Sequence, residues 1–98
     1  MTIEDIEIKI KKFDREKNYV LVNLLILNTI EIRGFVVRYT KTRYTVSPIW
    51  IVNPPSIPSG KKGKYKIYFW VVEFKDPDFW EQLQQKIIHA AVLHTNIP

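Results

Sequence analysis

Apolar and polar residues alternate strictly at the start of the chain. Ile6, Ile8 and Ile10 fall on one side, and Glu7, Lys9 and Lys11 on the other. Period two with β-branched residues predicts a half-exposed strand over residues 3–13. "DREKN" (14–18) has turn chemistry and predicts a hairpin loop. Residues 19–27 are apolar on both sides apart from Asn23, which predicts a central strand. Asn28 and Thr29 read as a turn or bulge. Residues 30–39 predict a third strand with Ile30, Ile32, Val36 and Arg38 on one face and Arg33, Phe35, Val37 and Tyr39 on the other. Gly34 inside it marks a bulge or bend. "TKTR" (40–43) predicts a hairpin turn, and residues 44–52 a fourth strand. Pro48 cannot donate to a ladder, so that strand belongs at an edge or carries a bulge.

"NPPSIPSGKKGK" (53–64) reads as one long loop, and residues 65–74 as a fifth strand. A helix follows. Asp76 suits its N-cap with Pro77 at the first helical position, or Asp78 caps it with Glu81 completing a capping box. Phe79, Trp80, Leu83, Ile87, Ala90 and Ala91 recur at helical spacing and form its inner face, with the end near Leu93. The fold class is therefore α+β, an antiparallel five-stranded meander sheet with one C-terminal helix. At 98 residues the chain makes a single domain over 1–98. One helix covers one face of a sheet. The other face is polar, binds something, or pairs with a second copy, and a homodimer is expected.

Composition narrows the chemistry. There is no cysteine, so disulfides and thiolate sites are excluded, and a cytoplasmic location is expected. The acidic, alternating N-terminus does not read as a signal peptide, and the longest aliphatic block, Leu24 to Leu27, is too short to span a bilayer, so no membrane partner is expected. The net charge is +5, but its distribution says more. From Ile32 to Lys66 there are eight basic residues and no acidic one; the rest of the chain holds seven basic and all ten acidic residues. Such segregation points to a polyanionic partner.

The residues expected to meet nucleic acid are Arg33, Arg38, Lys41, Arg43, Lys61, Lys62, Lys64 and Lys66 for phosphates, with Tyr44 and Tyr65 for stacking. Lysines on a loop serve phosphates without fixed geometry, and exposed rings hold single-stranded bases. Arg33, Arg38, Lys41 and Arg43 would form the base of this surface, extended by Lys61, Lys62 and Lys64. The plain alternative is a solvated basic loop. Phe35 and Trp50 read as core or dimer contacts. His89 and His94, five apart, do not share a helical face, and no third ligand stands out, so no metal or other cofactor is expected. Ser47, Ser56 and Ser59 have no histidine nearby, and "GKKGK" lacks the Lys-Ser/Thr of a phosphate loop, so the chain does not read as an enzyme. A second reading is a protein–protein module whose uncovered sheet face, with Leu25, Leu27, Trp70 and Val72, binds a partner.

The order of elements and several stretches resemble the SpoVG family of septation regulators. "IEIRGFVVRY" and "RYTVSPIW" are similar to the two central strands of that family, with Pro48 at the proline closing the second. "FKDPDFWEQLQQKIIHAAV" is similar to its strand exit and final helix. The resemblance spans roughly residues 3–93. It implies DNA and RNA binding in a regulatory role, as a dimer. The chain departs from the pattern in having "TKTR" where the family turn is rich in Gly and Asn. Ile49 and Trp50 stand where the family has Ser-Lys-Arg.

Overall fold

The structure, a computed structural model, describes residues 1–97, with all their side chains except those of Lys62, Tyr65 and Lys66. A short 3-10 turn (Ile3–Asp5) precedes β1 (Ile6–Asp14), β2 (Tyr19–Ile26), β3 (Ile30–Thr40) and β4 (Ile49–Asn53). These four form one antiparallel sheet in the order β1-β2-β3-β4. A separate two-stranded hairpin, β5 (Ser56–Lys62) and β6 (Tyr65–Trp70), follows, and the chain closes with α1 (Pro77–Thr95).

The expected α+β class with antiparallel strands and a C-terminal helix is present. The single five-stranded meander is not: the sheet has four strands and the hairpin stands apart. Two local causes account for the difference. Residues 41–48, expected as a tight turn and half a strand, form one longer loop. In it the Thr42 amide donates to Thr45 Oγ1 (3.0 Å) and the Tyr44 amide to Thr42 Oγ1 (3.1 Å). These side-chain bonds replace ladder bonds, and Tyr44 and Val46 turn out to solvent. Strand β4 starts only after Pro48, at the sheet edge that Pro48 implied. Meanwhile residues 53–64, expected as a loop, contain β5. Gly60 (φ 115) sits in a register shift between Pro58 and Lys61, and Gly63 (φ 63) opens the two-residue turn into β6. Positive φ at that first turn position is what a glycine supplies cheaply.

One face of the sheet meets the helix. Val20, Val22, Leu24 and Ile26 alternate inward from β2, joined by Ile6 from β1, Phe35 and Val37 from β3 and Val52 from β4. Leu83, Ile87 and Ala91, four residues apart, complete the core from α1, and each is fully buried. Phe79, Trp80 and Ala90, expected among them, are only half-buried. Phe79 and Trp80 instead join Phe74 in an aromatic cluster at the helix start. The Phe74 and Trp80 rings stack at 5.2 Å with 4° between planes, and Trp70 meets Trp80 edge-on at 6.2 Å. Asp76 is the N-cap, its carboxylate accepting from the amides of Asp78 (3.0 Å) and Phe79 (3.2 Å), with Pro77 in the first helical turn. Asp78 is therefore not the cap. The helix runs on to Thr95, past the expected end, and closes on Asn96 in the left-handed region. Lys86 Nζ donates to the carbonyl oxygens of Ile3 (2.9 Å) and Ile6, tying the helix to the first turn of the chain.

Gly34 does mark a bulge. The β2–β3 register slips between Val22 and Leu24, so Arg33 and Gly34 together oppose Asn23. The extra residue resets the alternation, which corrects the expected faces of β3. Ile32, Phe35 and Val37 point to the core, while Glu31, Arg33, Val36 and Arg38 share the open face. A one-residue insertion has this effect because the side-chain period is two.

Candidate nucleic-acid interface

The face of the sheet opposite the helix is uncovered, and the bulge decides what it carries. The Gly34 amide donates to Asn23 Oδ1 (3.4 Å), and Asn23 Nδ2 donates to Glu31 Oε1 (3.1 Å). Asn23 is buried at 8% exposure yet fully engaged, so the one polar break in the central strand satisfies the amide freed by the bulge. Glu31 in turn lies 3.6 Å from the Arg33 guanidinium. Around this strap a shallow depression of about 480 Å³ is lined by Lys9, Lys11, Leu21, Asn23, Glu31, Arg33 and Gly34. Three of its seven lining residues are cationic and one is anionic, so the local field favours an anion.

On the other side of Gly34 lies a second cleft, of about 560 Å³. The sheet supplies Gly34, Val36, Arg38, Asn53 and Pro54, and the hairpin supplies Ser56, Tyr68 and Trp70. Gly34 lines both depressions, so they adjoin along the open face. The hairpin is held beside the sheet at its base, where the Val71 amide donates to the Pro55 carbonyl (2.8 Å).

The residues expected from the sequence fall on three pieces of the fold. Arg33 and Arg38 are exposed on the open face, Arg33 in the bulge and Arg38 beyond it. Lys41, Arg43 and Tyr44 lie on the loop between β3 and β4, all exposed, with the Arg43 guanidinium 5.9 Å from the centre of the Tyr44 ring. Lys61 and Lys64 are exposed at the hairpin tip. The side chains of Lys62, Tyr65 and Lys66 lie outside the described residues. The long basic loop expected over residues 53–64 is thus replaced by a basic hairpin end. Phe35 is fully buried, and Tyr39 packs on half-buried Trp50 at 5.1 Å, so these three rings belong to packing. His94 meets the Phe13 ring edge-on at 6.5 Å and His89 is exposed.

Sequence reasoning missed Lys9 and Lys11 as part of this surface, and the pairing of Tyr68 and Trp70 with Arg38. Strand alternation put both lysines on the polar side of β1. Only the register of β1 on β2, with Lys9 opposite Asn23, shows that this side adjoins Arg33. Tyr68 and Trp70 are two apart on β6 and so share one side, a pattern visible in "YFW" once the strand is recognised.

No helix among the described residues is long and apolar enough to cross a membrane. No family model, curated protein or solved structure matches this chain.

Proposed function

We propose that the protein binds single-stranded nucleic acid, DNA or RNA, across the open face of its four-stranded sheet and the adjoining hairpin, in a regulatory rather than catalytic role. The observation that carries this reading is the placement of Arg33 and Arg38 on the uncovered face beside Lys9 and Lys11, with half-exposed Tyr68 and Trp70 on the neighbouring wall. Cations neutralise phosphates without reading sequence, and exposed rings stack on any base. Lys41, Arg43 and Tyr44 on one loop, and Lys61, Lys62, Lys64, Tyr65 and Lys66 along the hairpin, extend the surface in this reading. The resemblance to SpoVG proteins points the same way. A filter-binding or anisotropy titration of single- and double-stranded oligonucleotides tests it, with single strands expected to bind more tightly.

A second reading rests on a specific observation. Ile57, Tyr68, Phe69, Trp70 and Val71 of the hairpin region are each more than half exposed. A two-stranded hairpin with apolar residues on both sides is poorly stable by itself in water, and an apolar surface of this kind marks protein contacts. A second copy of the chain is the proposed partner. Sedimentation at micromolar concentration is expected to show a species of twice 11.7 kDa, and a purely monomeric boundary would overturn the dimer.

A further inference from the structure

We infer that the cleft between Arg38 and Trp70 receives one unstacked nucleotide of the bound strand, its base against the Tyr68 and Trp70 rings and a phosphate on Arg38. The proposal rests on the single-strand reading above and adds a position where a base, and not only the backbone, is held.

Three observations carry it. First, the cleft's size, about 560 Å³, lies within the range of small-ligand sites. Second, its polar side chains are uncommitted. Among the described residues, Arg38, Asn53, Ser56 and Tyr68 make no side-chain hydrogen bond or ion pair within the protein. Arg33 in the bulge, by contrast, is paired with Glu31, and Asn23 is bonded on both sides of its amide. Arg38, Ser56 and Tyr68 are exposed, so each is open to a ligand in the cleft. Third, the chemistry suits a nucleotide. No carboxylate lines the cleft, so an anion meets no repulsion there. Arg38 offers a planar fork for phosphate oxygens. Asn53 presents both a donor and an acceptor, the combination that a base edge satisfies. Trp70 and Tyr68, about half exposed, offer ring faces and edges at the rim. Gly34 lines the cleft with φ 97, where a side chain would be strained, and Pro55 packs on it, 3.7 Å from where a Cβ would stand.

The test compares an oligodeoxythymidine of about eight nucleotides, a length typical of single-strand sites, with a base-free oligomer of abasic deoxyribose phosphates of the same length. The native protein is expected to prefer the thymidine oligomer by about ten-fold or more, the effect of one stacked base. Tyr68→Leu keeps apolar bulk at the hairpin but removes the ring, and Asn53→Ala removes the edge contact. Each is expected to shrink that preference several-fold while leaving the melting temperature unchanged. If both oligomers bind the native protein equally, or if both variants keep the full preference, the nucleotide pocket is wrong and the phosphate surface still stands. If neither oligomer binds, the single-strand reading itself fails and the pocket with it.

Discussion

Asn23 shows how much one residue can hide in a sequence. In an otherwise apolar run it reads as an interruption, and nothing in its neighbours announces that its amide will satisfy a bulge eleven residues further along the chain. In the fold it accepts from the Gly34 amide and donates to Glu31, with almost no exposure to water. Replacing it by Leu leaves the bulged amide without a partner, and the expected loss of stability is about 1–3 kcal/mol, read by urea denaturation. The same variant should loosen Arg33, whose carboxylate neighbour loses its own anchor. Leu83 is a simpler case, legible from helical spacing and fully buried. Leu83→Ala is expected to destabilise by about 2–5 kcal/mol, and an unchanged melting temperature would contradict the packing described. Trp80, expected as an equal anchor, is only half-buried and stacked on Phe74. Its truncation should therefore cost less than burial of a whole ring would suggest.

At the scale of elements, periodicity and caps were readable, and pairing was not. Strands β1, β2 and β3 are visible because alternation and β-branched residues agree with one another. The helix start is visible because Asp76 and Pro77 stand at the right spacing. The hairpin is hidden because Pro54, Pro55, Pro58, Gly60 and Gly63 carry loop chemistry, and a strand with free edges tolerates proline that a central strand would not. The three lysines read as a loop are thus carried by a defined hairpin end, with Lys61 and Lys64 exposed. Replacing Lys61, Lys62 and Lys64 together by Gln is expected to leave the fold unchanged, since the tip makes no part of the core. Oligonucleotide binding should weaken alike for all sequences, with the salt slope reduced by about two units. Unaltered binding by the triple variant would reduce these lysines to a solvated hairpin end. Gly34 marks the bulge in the sequence, but the faces of β3 on either side of it follow only from the register on β2, which needs the partner strand.

For the whole molecule, the division of labour follows from one helix on one sheet. The helix buries the aliphatic face, and the opposite face is left for charge and for the cleft beside the hairpin. Charge segregation was legible in the sequence: eight basic and no acidic residues from Ile32 to Lys66. What was not legible is that the fold adds Lys9 and Lys11 from β1 to that surface and places Glu31 among them. The most direct measurement is the affinity for a single-stranded oligonucleotide as a function of salt. With about four phosphate contacts, log K should fall against log salt with a slope of about −3, a loss of roughly fifty-fold between about 50 and 200 mM. Arg33→Gln with Arg38→Gln should flatten that slope by about one unit while the melting temperature holds. Binding that is absent, or indifferent to salt, would contradict the account and favour the apolar hairpin as a protein-binding surface.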